Sequence, residues 1–339
     1  MVCEEDIVRL LEEVVGGRGV VGISLVEGES ESRRVSVWKP SNLATEPHFL
    51  AYSITKTFIA LLFLQMVEEN RLQLEDRLAN WFPEISNANE ITLRQMLRHT
   101  AGIPDYGTIQ SYHQDVRNTP ETPWRFEQFL AETEKQGSLF PPGTGWAYSN
   151  IGFMLLKRIA EITCGRSLKD LVAELISKPL DLTNTIVVES IADLTTLAPA
   201  TSSLLSPERE LRDVRKHYHP GWVSHGVIAS TPSEIAHFYS NLFAGHLLST
   251  NSLTEMTTPV SVPNAPARWV NPCYGLGLII DDRTPWGSVW GHGGGGPGYT
   301  SFALHVPDFP TGSRTICAMC GIEGDTLAED LVFHLLEVS

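Results

Sequence analysis

Two serines in this chain stand three residues ahead of a lysine, Ser36 before Lys39 and Ser53 before Lys56. An amine that close to a hydroxyl can serve as the base that activates a serine nucleophile. The segment RRVSVWKP patterns as a strand, where positions three apart point to opposite faces, so Ser36 and Lys39 cannot cooperate. Ser53 and Lys56 instead open the apolar run SITKTFIALLFLQMVEEN, where a helix puts i and i+3 on one face, a turn apart. Burial there, with the positive end of the helix dipole, disfavours the ammonium and pushes the lysine toward the neutral amine that a general base requires. Taken alone, the pair is more simply a capping serine and a lysine that reaches solvent.

Tyr-x-Asn also occurs twice. Tyr239 and Asn241 fall inside TPSEIAHFYSNLF, a helix with Pro232 in its first turn, where Tyr239 shares the apolar side with Ile235, Phe238 and Leu242. Tyr148 and Asn150 end the Pro/Gly loop PPGTGWAYSN just where another helix begins, a place from which side chains can project into a cleft. His-x-Gly occurs at His292 and Gly294, after the strand-like SVWG. The glycines 293–296 suit close approach of a substrate backbone. Gly291 to Gly296 match G-x-G-x-x-G, but Pro297 and the strand-like TSFALHV follow where a dinucleotide fold needs a helix. No G-x-S-x-G is present, so the nucleophile elbow of the α/β-hydrolases has no candidate serine.

Ser53-x-x-Lys56, Tyr148-x-Asn150 and His292-x-Gly294, in this order, resemble the three motifs of the serine β-lactamase-like superfamily, in the branch of class C β-lactamases, S12 peptidases and family VIII esterases. LRQMLRHTAGIPDY, PLDLTNT and YGLGLII look like stretches of the same family, and the similarity spans roughly residues 45 to 305. The resemblance implies an acyl-enzyme on Ser53. Lys56 and Tyr148 would take the serine proton and return it to the leaving group, either being the base. Asn150 would orient Lys56 and the substrate amide, and the backbone N–H groups of Ser53 and Gly295 would form the oxyanion hole. No metal or organic cofactor is implied.

Two departures bear on substrate. His292 stands where β-lactamases have lysine, so the fixed positive charge that meets an antibiotic's carboxylate is missing or pH-dependent. The opening MVCEEDIVRLLEEVVGGRGV carries three acids before any apolar run, unlike an export signal, so a cytoplasmic enzyme is expected. The leading expectation is a serine hydrolase or acyltransferase acting on a small ester, amide or short peptide, of esterase or D-amino-acid peptidase type. A β-lactamase or DD-peptidase is the alternative, and an inactive penicillin-binding-like module the second alternative, although all three motifs are intact.

Positioning these residues falls to strands at the chain's two ends and helices between them. An amphipathic helix with Ile7, Leu10, Leu11 and Val14 is stopped by Gly16 and Gly17, and strands follow at 20–26 and 34–38. Helical patterns cover 53–69, 92–98, 126–135, 150–163 closed by Gly165, and 232–243. Strands return at 274–280, 287–290, 300–306 and 315–320, before a last helix with Leu327, Leu331, Leu335 and Val338. The expected fold is α+β: an antiparallel sheet built from 1–49 and 225–339 with flanking helices, and an inserted, mainly helical domain over 50–224. The irregular stretch 184–224, with Arg209, Arg212, Arg215, Lys216, His217 and His219 near its end, is long enough to wall a cleft. His217 and His219 lack the partners of a metal site and read as solvated surface.

Composition agrees. Of 339 residues 42% are hydrophobic and 19% charged, enough to fill a large core and unlike disordered chains. The formal charge of -15 repels phosphate backbones and anionic lipid, which argues against nucleic-acid partners. The most apolar run, 58–64, is far too short for a membrane span, so a soluble protein is expected. Five cysteines, an odd number, suit a reducing compartment, and Cys317 and Cys320 in SRTICAMCGI read as buried thiols rather than a metal or redox pair.

Overall fold

Strands from the two ends of the chain interleave in one antiparallel sheet because the most apolar of them need neighbours on both sides. The computed structural model describes residues 4–15, 19–28, 31–40, 43–263, 268–324 and 326–338. The sheet has eight strands in the order Arg33–Lys39, Val21–Glu27, Arg314–Cys320, Tyr299–Val306, Gly287–Gly296, Ile279–Thr284, Pro272–Tyr274 and Val260–Ser261. Val21–Glu27, Tyr299–Val306 and Arg314–Cys320 are buried at every position, as strands covered on both faces must be. Ile316, Ala318 and Cys320 face one core with Ile7, Leu11 and Leu331, from helices Glu4–Val15 and Leu327–Glu337. Cys317 and Met319 face the other core, where helix Pro232–Phe243 packs. Cys317 and Cys320 are therefore buried thiols on opposite faces of one strand.

The antiparallel α+β arrangement agrees with the sequence reading, and most element boundaries agree within one or two residues. The expected stop of the first helix at Gly16 and Gly17 lies outside the described residues. Two strand assignments need correction. The stretch 274–280 is not one strand: the chain leaves the sheet after Tyr274 and re-enters at Ile279. Between them Gly277 takes φ +65°, and a Cβ there would stand 2.7 Å from the carbonyl oxygen of Lys56, so the excursion lets the backbone lie on the Ser53–Lys56 segment. The strand expected at 287–290 runs on through the glycines to Gly296, pairing Gly293 with Phe302 and Gly295 with Thr300.

Helices dominate between 50 and 224, among them Thr55–Glu68, Gln110–Asn118, Phe126–Glu134 and Asn150–Cys164. A small sheet joins Phe49–Leu50, Val227–Ser230 and Ile186–Val188 beside the start of Thr55–Glu68. The irregular stretch 184–224 is pinned by Leu194, Leu197, Val214, Tyr218 and Trp222, all buried. Among the described residues no helix is long and apolar enough to cross a membrane.

Candidate active site

Ser53 is the middle residue of a tight turn, Tyr52–Ile54, that runs into the helix Thr55–Glu68. It precedes the helix rather than opening or capping it, which corrects the expected start at 53. Neighbours fix the turn: Ala51 N–H donates to Ile228 O at 2.8 Å, and Ser301 Oγ donates to Ala51 O at 2.9 Å. Tyr52 takes φ +47°, a left-handed conformation that costs a bulky L residue about 1–2 kcal/mol. Its hydroxyl donates to Pro297 O at 2.7 Å, and its ring lies where a Cβ on Gly296 would stand 2.5 Å from Cε1. These contacts hold the strained residue and present Ser53 to the cleft.

Lys56 is fully buried, so the solvent-reaching alternative is excluded. Its Nζ lies 3.1 Å from Ser53 Oγ, 2.7 Å from Asn150 Oδ1 and 3.3 Å from His225 Nε2. Burial holds the amine well below its usual ammonium range, with the Asp105 charge opposing in part. Asn150 opens the helix Asn150–Cys164, which Ser149 caps by accepting Gly152 N–H at 3.0 Å. Asp105 accepts both Asn150 N–H, at 2.7 Å, and Asn150 Nδ2, at 3.2 Å. With its amide nitrogen so engaged, Asn150 must turn its oxygen to Lys56.

Tyr148 lies half-buried just before that helix, with its phenol beside Ser53. Burial pushes its phenol far above the usual range, and the Ser53 contact only partly opposes this. Its ring lies 4.3 Å from that of His99, whose Nδ1 accepts Ser149 N–H at 3.1 Å. His99 thus anchors the loop that carries Tyr148.

His292 is buried beneath the third motif. Its Nδ1 donates to Gly293 O at 2.6 Å, since a carbonyl can only accept, which leaves Nε2 to accept from Tyr274 OH at 2.8 Å. Burial lowers its pKa to about 3. It is therefore a neutral ring with both nitrogens engaged, and the pH-dependent charge that sequence reading left open is absent in the working range. Gly294 lets the strand pass the turn of Ser53: a Cβ there would stand 2.2 Å from Ala51 O and 2.9 Å from Ser53 N. Gly295, next along, lines a cavity of about 250 Å³ together with Ser53 and Asn150.

The Beta-lactamase family model matches residues 7–313. The chain belongs to the beta-lactamase family. Penicillin-binding protein 4* of Bacillus subtilis (strain 168) is 25% identical over 317 residues, covering 87% of this chain and 65% of that protein. A D-aminopeptidase of Cereibacter sphaeroides is 25% identical over 270 residues, 76% of this chain and 47% of the relative. The chain thus spans less than two thirds of the length of these curated relatives. Among solved structures, a D-stereospecific amidohydrolase from Streptomyces sp. superposes with a TM-score of 0.81 at 28% identity, covering 96% of this chain and 97% of that one.

Within this site the cavity wall is mostly aromatic and aliphatic, with Tyr106, Tyr112, Val116, Leu204, Tyr218 and Trp222. The stretch 184–224 does wall a cleft, but with apolar residues. None of Arg209, Arg212, Arg215 and Lys216 lines the cavity; Arg215 pairs with Asp213 at 2.9 Å, and His217 Nδ1 lies 2.9 Å from Glu121 Oε1. His219 Nδ1 accepts Gly221 N–H, and among the described residues no cluster of histidine, cysteine or acidic side chains could hold a metal ion. Among the described residues, the arginine or lysine on the cavity wall is Arg117, from Gln110–Asn118, a helix the sequence reading did not mark. No aspartate or glutamate among the described residues lines the cavity.

Sequence reading also missed Asp105, His99 and His225. Asp105 and His99 lie in LRQMLRHTAGIPDY, where the family likeness was visible but no chemistry was; His225 had no signal. The second Tyr-Ser-Asn is core: Tyr239 is fully buried, its hydroxyl 2.9 Å from Thr57 Oγ1.

Proposed function

We propose that this chain is a serine hydrolase that forms an acyl-enzyme on Ser53 and acts on small amides and esters, with D-amino-acid derivatives as the foremost class. The observation that carries the reading is the 3.1 Å contact between Ser53 Oγ and the buried Nζ of Lys56. Ser53 Oγ attacks the carbonyl carbon while its proton passes to the neutral Lys56 amine. Asn150 holds that amine, and the N–H groups of Ser53 and Gly295 receive the oxyanion, each such donor being worth about 10²–10³-fold in rate. The tetrahedral intermediate collapses, and the leaving nitrogen or oxygen takes the proton back through the Tyr148 hydroxyl. Water then cleaves the acyl-enzyme by the same route in reverse. Between two candidate bases, Lys56 is favoured: burial disfavours its charged form and equally disfavours a tyrosinate at Tyr148.

The cleft in this reading lies between the 50–224 segment, which supplies Ser53, Lys56, Tyr148 and Asn150, and the segments 1–49 and 225–339, which supply His292, Gly294 and Gly295. The D-amino-acid class is supported by the names of the D-aminopeptidase and D-stereospecific amidohydrolase relatives. A penicillin-binding protein is the second reading, favoured by the match to penicillin-binding protein 4* across 87% of the chain. Intact mass after incubation with a fluorophosphonate and with benzylpenicillin, followed by peptide mapping, tests nucleophile and class together. The expected result is fluorophosphonate labelling at Ser53, absent in Ser53→Ala, with hydrolysis of D- over L-amino-acid amides; labelling elsewhere refutes the site.

A further inference from the structure

His225 belongs to none of the three motifs, yet its Nε2 lies 3.3 Å from Lys56 Nζ while the ring lines the cavity beside Ser53. It is 1% exposed, and its Nδ1 is buried with no hydrogen-bond partner among the described residues. An unpaired buried polar atom costs stability, so a histidine here is an expensive way to fill space.

We infer that His225 is a positioning residue: by accepting one N–H of Lys56 at Nε2, it aims the lone pair of the amine at the hydroxyl of Ser53. This inference rests on the serine-hydrolase reading above. A neutral amine has two N–H groups and one lone pair, and among the described residues Nζ has three polar neighbours at hydrogen-bond distance: Asn150 Oδ1, His225 Nε2 and Ser53 Oγ. Asn150 can only accept, because its nitrogen is held by Asp105. With His225 accepting the second N–H, the remaining tetrahedral direction of the amine is its lone pair, and it points at Ser53. Remove that acceptor and the second N–H turns to the lone pairs of Ser53 Oγ, so the amine donates to the nucleophile it should deprotonate. After proton transfer the ammonium has three N–H groups for the same three acceptors, so His225 serves both states.

The arrangement requires the His225 proton on Nδ1, the atom with no partner. The opposite tautomer would direct Nε2–H at the Lys56 lone pair and block it, so the two assignments predict opposite effects of removing the ring. His225→Leu and His225→Gln in the full chain decide between them, because the Gln Oε1 can accept where Nε2 does and Leu cannot. The readouts are the single-turnover rate of Ser53 acylation by p-nitrophenyl acetate, kcat and KM on the same ester, and the melting temperature.

Expected for His225→Leu is acylation slowed by about tenfold or more, within the range of general acid–base effects. KM should stay within about twofold and the melting temperature should hold or rise, since the orphaned atom is gone. His225→Gln should recover most of the rate. Acylation by folded His225→Leu as fast as wild type or faster overturns the inference, as does a His225→Gln variant no better than the leucine. A wild type whose Ser53 is never acylated overturns the hydrolase reading itself, and the inference falls with it.

Discussion

The hydroxyl of Tyr274 donates to Nε2 of His292 across 2.8 Å, and the proton on Nδ1 of that ring is spent on the Gly293 carbonyl. The third motif therefore presents no titrating cation. His305 is a second such ring, its Nδ1 2.8 Å from Thr315 Oγ1, and burial lowers both pKa values to about 3. Unfolded histidine titrates near 6.5, so between pH 6.5 and 3 the unfolded chain binds protons the folded one does not. Stability is complete above that window and is lost as pH falls through it, by about 1.4 kcal/mol per pH unit for each histidine. His99 and His225, also lowered by burial, act in the same direction. Urea unfolding at pH 7.5, 6.5, 5.7 and 5.0 checks this, and His305→Leu should flatten the slope by one histidine's share. Equal unfolding free energies across the series would contradict the neutral buried rings.

The two Tyr-Ser-Asn triplets separate activity from stability. Tyr148→Phe removes the hydroxyl beside Ser53 and should lower turnover by about 10²-fold or more with little change in melting temperature. Tyr239→Ala opens a hole beside Phe238 and Phe243 and should cost about 3–5 kcal/mol, while the remaining folded protein turns over normally. The opposite pattern in paired activity and melting assays would reverse the assignment of the triplets.

Asp105 holds Asn150 by two hydrogen bonds and Gly107 N–H by a third, so every contact uses it as an acceptor. Asp105→Asn places an NH₂ where one acceptor oxygen is needed. Bonds to a charged group are worth about 1.5–3 kcal/mol. Asn150 released from this hold no longer fixes Lys56, and kcat should fall by about 10–100-fold while KM moves less. A kcat within twofold of wild type would show that Asn150 keeps its orientation without the carboxylate.

How far the sequence disclosed this site follows from what each residue type can announce. Ser53, Lys56, Tyr148, Asn150 and His292 were legible because they recur as short motifs, and alternation separated the strand pair Ser36/Lys39 from the pair at 53 and 56. The helices closed by Gly165 and opened by Pro232 were legible because caps are local. The glycine run 293–296 was opaque as a strand, since strand patterns are read from side chains and glycine has none. Asp105 and His225 were opaque for another reason. Their importance lies wholly in partners 45 and 169 residues away, Asn150 and Lys56. The stretch 184–224 was legible as a cleft wall from its length, but which residues line the cavity was not, because Leu204, Tyr218 and Trp222 carry no pattern until the chain folds.

Short-chain aryl esters should be turned over faster than β-lactams, and the structure sharpens the reason. A β-lactam carries a carboxylate that a lysine in the third motif would hold as an ion pair, and charge-assisted bonds are roughly twice as strong as neutral ones. Here His292 is neutral with both nitrogens engaged, so it offers that carboxylate neither charge nor a free N–H. The basic cluster of 209–216 does not replace it on the cavity wall, where the longer stretch 184–224 places Leu204, Tyr218 and Trp222 instead. Among the described residues Arg117 is the arginine or lysine on that wall, and no acidic side chain lines it, in a chain of net charge -15. Whatever affinity for anionic substrates survives should therefore depend on Arg117 and be screened by salt. The measurement is kcat/KM for p-nitrophenyl butyrate and for nitrocefin at pH 7.5, in wild type and Arg117→Ala. Wild type should favour the ester, and Arg117→Ala should weaken nitrocefin turnover while leaving the uncharged ester within about twofold, the size expected where no ion pair is lost. Nitrocefin preferred over the ester would promote the penicillin-binding reading, and equal losses on both substrates would show that Arg117 shapes the wall without reading charge.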